Sequence, residues 1–116
     1  MKQVVFYETG LPENVLQLEE VEMPTPAKGE ALIRVTARNI NPSDVMFVQG
    51  LYGITPKLPS SAGFEAAGVI EKSEKFLTGT RVLFTSIGTW KEYTCIPDAG
   101  LIPTPDGMSD EVACQA

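Results

Sequence analysis

The chain has 116 residues, 43% of them hydrophobic and 21% charged, which is the balance of one folded domain with one core and not of a disordered segment. Nine Lys and Arg against fifteen Asp and Glu give a formal charge of −6 with no basic cluster, so nucleic acid is excluded as an expected partner. Histidine is absent, which removes the commonest general base and the commonest metal ligand, and no apolar run approaches the roughly 20 residues of a membrane span.

Nine prolines and ten glycines punctuate a hydrophobic pattern of mainly period two, which predicts many short strands joined by turns. Nothing at the start resembles a targeting peptide, and residues 3–7 read directly as a first strand. Residues 14–22 read as a second, with Leu16 and Leu18 on one face, and Pro24 and Pro26 end it because proline cannot donate to a ladder. The turn Ala27-Lys28-Gly29-Glu30 leads into the clearest strand, where Ala31, Ile33, Val35 and Ala37 alternate with Leu32, Arg34, Thr36 and Arg38. Between Asn41 and Gly50 the pattern predicts a short helix, capped by Ser43 or Asp44 and stopped by Gly50. An irregular loop from Leu51 to Ser61 follows, then strands over 64–72, 81–84 and 89–96. Ser109-Asp110-Glu111 opens a last helix with acids in its first turn, and the chain ends inside that signal. The fold class expected is mainly β: a partly open barrel of short strands with small helices at its margin. Cys95 and Cys114 lie far apart and read as free thiols, Cys95 as an inert buried one, consistent with a reducing cytoplasm.

A dinucleotide fold needs a strand, a glycine-rich turn and a helix N-terminus, and the glycines at 63, 68, 79 and 88 have neither that spacing nor that context. The run Gly63-Phe64-Glu65-Ala66-Ala67-Gly68 resembles a phosphate loop only in its glycines, since Val69 and Ile70 stand where Lys and Ser or Thr are required. A nucleophile–base pair lacks its base.

Several motifs in order nevertheless carry a likeness: Asn41-Pro42-Ser43-Asp44, Gln49-Gly50-Leu51-Tyr52-Gly53, Leu58-Pro59, Gly63 to Ile70, Gly79-Thr80-Arg81-Val82 and Leu101-Ile102-Pro103. Together they resemble the catalytic domain of the medium-chain dehydrogenase/reductase superfamily, over essentially the whole chain. The resemblance implies a chaperonin-10-like (GroES-like) β domain over residues 1–116 that carries the substrate site. A Rossmann domain binding NADPH or NADH is then expected to follow it, outside this chain. It further implies a small-molecule substrate, a full-length protein that can form a homodimer through the second half, and inactivity of this piece alone.

Zinc enzymes of that superfamily place a ligand Cys where this chain has Asn41 and a ligand His where it has Phe64. Neither residue binds zinc usefully, and the four-cysteine structural lobe is also missing, so the resemblance points to the zinc-independent branch of quinone oxidoreductases and 2-enoyl thioester reductases, with no metal site. In that branch the residue matching Tyr52 is implicated as proton donor, a role suited to a phenol that is neutral at pH 7. Asn41 would orient substrate or cofactor through its amide, although an Asn-Pro turn needs no such function. Phe64 would line the pocket or pack beneath the nicotinamide, and Trp90 reads first as a packing residue and second as a substrate contact. Glu65 is expected to be structural, pairing with backbone or Arg. A stand-alone chaperonin-10-like binding or assembly module is the alternative from another class.

Overall fold

The computed structural model describes residues 1–115. In chain order it contains β1 (Lys2–Phe6), α1 (Pro12–Val15), β2 (Gln17–Glu20), β3 (Glu30–Arg38), α2 (Pro42–Gln49), β4 (Ser60–Ser61), β5 (Glu65–Lys72), β6 (Arg81–Thr85), β7 (Tyr93–Pro97), a single 3-10 turn at Asp98–Gly100, β8 (Ile102–Pro103) and α3 (Asp110–Ala113). The strands form two antiparallel sheets, one ordered β2-β1-β4 and the other β7-β3-β5-β6-β8, with no closed barrel among the described residues. The chain is mainly β, as its punctuation predicts.

The long strand β3 lies between β5 and β7, and its period-two pattern buries Ala31, Ile33 and Val35 against Ile70, Val82, Phe84 and Ile96. Each large aliphatic side chain removed from water in this cluster contributes roughly 1.5–3 kcal/mol. The alternation does not extend to Ala37. A register shift between Val35 and Ala37 turns the strand, and Ala37 packs with Ala67, Ala113 and Cys114 in a separate cluster beneath α3. Arg81 fastens α3 to the sheet by donating to the Asp110 carboxylate from Nε at 3.0 Å and Nη2 at 2.7 Å. The helix expected over the C-terminus is short: Ser109 caps it, accepting from the Val112 N–H, and Ala116 lies outside the described residues.

Two strand expectations are corrected. Residues 12–15 form a helical turn because Pro12 occupies its first position, where a missing N–H costs nothing, so β2 begins only at Gln17. Leu16 therefore turns into the core beside Phe6 and Val15, while Leu18 stays 66% exposed. The strand expected over 89–96 begins at Tyr93. Residues 89–92 instead stitch several elements together: the Trp90 N–H donates to Ala62 O, the Val4 N–H to Trp90 O and the Val35 N–H to Glu92 O. Cys95 is half-buried, not fully buried, and burial pushes its thiol pKa up.

The cap of helix α2 lies two to three residues before the expected ones. Asn41 is the N-cap, in extended conformation, Pro42 follows at the first helical position, and the Asp44 carboxylate accepts the Asn41 N–H at 2.7 Å. Gly50 closes the helix at φ 76°, as its position predicts. Asp44 is wholly buried, and its other oxygen has no hydrogen-bond partner among the described residues. Burial pushes its pKa above the ordinary carboxylate value; the Asn41 N–H opposes that shift and the Glu65 charge adds to it.

Two substitutions test these packing and capping roles. Gly68 faces Val35 across the β3–β5 ladder, and a Cβ there would lie 2.5 Å from Ile33 Cγ2 and 2.6 Å from the Arg34 carbonyl oxygen. Gly68→Ala is expected to cost about 1–3 kcal/mol, read as a lower urea midpoint. Asp44→Ala is expected to lose about 1 kcal/mol with the cap. A raised folded pKa means that the acid contributes most below its unfolded value and loses that contribution as pH rises through the folded one. Asp44→Asn keeps an acceptor for Asn41 without the buried charge, so urea midpoints from pH 4 to 7 are expected to show the wild type losing ground to Asp44→Asn as pH rises.

Candidate functional site

The site is built where β3 ends and β5 begins. The segment Asn39-Ile40-Asn41 leaves β3 for α2, and Glu65 opens β5 opposite it. Glu65 Oε2 accepts from Asn41 Nδ2 at 3.3 Å and from Asn39 Nδ2, whose amide also donates to the Cys114 carbonyl at 3.3 Å. Where backbone or Arg is expected as the partner of Glu65, the structure supplies two neutral amides instead. They hold the carboxylate with its charge uncompensated by any cation within ion-pair distance among the described residues.

Phe64, next along, is half-buried and stands in a column of rings. Phe6 meets Phe47 edge-on at 6.0 Å, Phe47 meets Phe64 at 5.2 Å and 73°, and Phe64 meets Tyr52 at 5.7 Å and 37°. Such pairs add about 0.5–1.5 kcal/mol beyond area burial, enough to hold Tyr52 against its neighbour although its loop is irregular. Tyr52 is the outermost ring, 39% exposed, and its hydroxyl has no hydrogen bond to the described residues. It is a phenol presented outward on an apolar base.

Trp90 is half-buried on the same aromatic cluster and donates its indole N–H to the Asn39 carbonyl at 3.2 Å. Gly63 makes this approach possible. It sits at φ 93°, and a Cβ there would collide with Thr89 Oγ1 and fall 2.6 Å from Trp90 Cδ1. Glycine at 63 thus lets the backbone that carries Phe64 and Glu65 lie directly on the indole.

Asn41, Tyr52, Phe64 and Trp90 are therefore neighbours, linked through Glu65, the ring column and Asn39. A cavity of about 460 Å³ beside Trp90 has none of Asn41, Tyr52 or Phe64 in its wall. Sequence reasoning passes over Asn39, although a signal for it exists. Asn39 and Asn41 are two residues apart in an extended exit from β3, so both amides fall on one side, the side that faces Glu65.

The Gly63–Gly68 run does not form a pyrophosphate-binding turn. It enters an antiparallel strand and no helix N-terminus, and Gly68 is packed tightly on Ile33 and Arg34. Among the described residues no group of three or more His, Cys, Asp or Glu side chains could hold a metal ion.

The family described as the alcohol dehydrogenase GroES-like domain matches residues 27–106. The mitochondrial enoyl-(acyl-carrier-protein) reductase of Xenopus tropicalis is 31% identical over 111 residues, which cover 90% of this chain and 32% of that protein. The crystal structure of human synaptic vesicle membrane protein VAT-1 homolog-like protein superposes with a TM-score of 0.90 at 34% identity, covering 98% of this chain and 38% of that one. The quinone oxidoreductase of Thermus thermophilus, solved also in complex with NADPH, superposes with a TM-score of 0.85 at 30% identity over 98% of this chain and 36% of that one. The chain spans about a third of the length of these relatives. With the family pattern running from the turn before β3 to the turn before α3, this chain belongs to the alcohol dehydrogenase GroES-like domain family, within the medium-chain dehydrogenase/reductase superfamily.

Proposed function

We propose that this chain is the substrate-side domain of a zinc-independent, NADPH- or NADH-dependent oxidoreductase that reduces an activated carbon–carbon double bond, as in an enoyl thioester or enone, or a quinone. The observation that carries the reading is the partly exposed ring of Tyr52, tilted against Phe64 one residue from the Asn41–Glu65 pair. The relatives support the reaction class, since they include an enoyl reductase and a quinone oxidoreductase complexed with NADPH. Ligand chemistry supports the metal-free reading: beside Glu65 stand an amide and a hydrocarbon ring, and one carboxylate does not make a zinc site.

A bound nicotinamide would supply hydride and would be held mainly by protein beyond these residues. This chain supplies the proton. Saturation of an enoyl thioester leaves a developing negative charge on the α-carbon and its carbonyl oxygen, and the Tyr52 O–H would donate a proton to the carbon, regained from solvent, or a hydrogen bond to the oxygen. The apolar ring of Phe64 packs against one side of the Tyr52 ring and shields that side from water. Asn41 directs one amide N–H to Glu65 and turns its side-chain oxygen to the Asp44 backbone in the capping box, so its second amide N–H is the group left to orient a substrate or cofactor acceptor.

Two measurements test this reading. In the enzyme that contains this chain, Tyr52→Phe is expected to lower kcat on enoyl thioesters about 10²–10⁴-fold with little change in KM. Unchanged turnover of both enoyl thioesters and quinones would remove Tyr52 from the mechanism, and absence of any reductase activity in the parent enzyme would favour a binding module. Residues 1–116 alone are expected to show no saturable NADPH binding at micromolar concentrations by calorimetric titration; a micromolar Kd would overturn the division of labour between the two parts.

A further inference from the structure

Glu65 is half-buried against two neutral amides, with no cation in ion-pair distance among the described residues. A neutral side chain would fill the same space without confining a charge there. What the carboxylate adds is an asymmetry. When ionised it only accepts hydrogen bonds, so an amide facing it must present N–H and turn its own oxygen away.

Asn39 shows how firmly that asymmetry is imposed. The β3–β5 register pairs Arg38 with Ala66, so Asn39 stands opposite Glu65 one step farther on. Its Nδ2 donates to Glu65 Oε2 and, at 3.3 Å, to the Cys114 carbonyl, while its backbone carbonyl accepts the Trp90 indole N–H at 3.2 Å. Its side-chain oxygen is buried with no hydrogen-bond partner among the described residues. The rotated amide would set that oxygen against Glu65 and the Cys114 carbonyl together, acceptor against acceptor, which is worse than one orphaned oxygen. Asn41 is constrained in the same sense. Its Nδ2 donates to Glu65 Oε2 at 3.3 Å and its oxygen faces the Asp44 backbone in the capping box, so rotation would lose both contacts.

We propose that Glu65 is a positioning residue: braced by Asn39, it fixes the Asn41 amide in the one orientation that leaves an N–H, and not an oxygen, to meet substrate or cofactor. The assignment rests on the reductase reading, in which Asn41 makes that contact. A fixed donor selects a hydrogen-bond acceptor, such as the carbonyl oxygen of an enoyl thioester, enone or quinone, over a donor group. Glutamine at 65 keeps nearly the same shape but carries both an oxygen and an NH2, and either can face the asparagines. Glu65→Gln therefore removes the constraint on orientation and keeps the packing.

Nuclear magnetic resonance of the 116-residue chain reads the orientation directly. The side-chain amides of Asn39 and Asn41 are each expected to give one pair of proton resonances in the wild type. In Glu65→Gln both pairs are expected to double or broaden by exchange, at a urea midpoint close to that of the wild type. In the enzyme that contains this chain, Glu65→Gln is expected to lower kcat/KM on enoyl thioesters or quinones about 10–100-fold. Asn41→Ser, which keeps a cap for α2 and removes the amide, is expected to cost at least as much. The double variant is expected to stay within about twofold of Asn41→Ser, because Glu65 acts through Asn41. Losses that multiply in the double variant would overturn the proposal, and so would single, unshifted amide resonances in Glu65→Gln. Tyr52→Phe in the same series keeps the two readings apart: its full turnover would remove the phenol from the mechanism without touching the Glu65–Asn41 coupling. If the parent enzyme reduces neither substrate, the reductase reading fails, and the amide resonances alone decide whether Glu65 orients Asn41.

Discussion

The candidate site and the main core are both built on the antiparallel ladder between β3 and β5. Pairing places Asn39 and Asn41, just past the end of one strand, opposite Glu65 at the start of the other, and it orders the core between Ile33 and Ile70. A residue without a side chain at 68 is what allows the two strands to come this close. The shift after Val35 then hands Ala37 to the α3 cluster, so one strand serves two cores. Geometry at the candidate site is thus inherited from sheet pairing, not from the loops that decorate it. Tyr52 is the exception, since it lies on a loop and is held by its ring alone.

Much of this is legible in the residues. Period-two alternation locates β3, the Gly79-Thr80 turn locates β6, and Gly50 locates the end of α2. The resemblance to dehydrogenase catalytic domains brings Asn41, Tyr52, Phe64 and Trp90 forward as a set, and they are neighbours in space. What is not legible involves residues whose local and tertiary roles compete. Residues 14–22 read as one strand, yet Pro12 starts a helical turn over 12–15 and β2 begins only at Gln17. Asn41 reads as a turn residue or a ligand, and it is simultaneously the cap of α2 and a donor to Glu65. Residues 89–92 alternate like a strand yet bond to three different segments, a pattern that only the tertiary fold decides.

Alternation at the exit from β3 serves both faces of the domain. Asn39 and Asn41 turn inward to Glu65, and Arg38 and Ile40 line the cavity beside Trp90. Four consecutive residues therefore separate a polar node from an amphipathic surface, with Trp90 packed across the division and tied to Asn39 by its indole N–H. A shift of this segment by one position would exchange the two faces entirely.

The sheets also have ends, and their chemistry limits how the molecule meets others. The outer rim of β2 carries Glu19 and Glu20 and is followed by Pro24 and Pro26; β8 is two residues long and includes Pro103; β7 stops at Pro97. Acids and prolines at a margin discourage an incoming strand from hydrogen-bonding there, the first by repulsion and the second by withholding a donor. Two sheets left open in this way can coexist at high concentration without templating cross-β growth, so openness of the architecture carries little aggregation hazard.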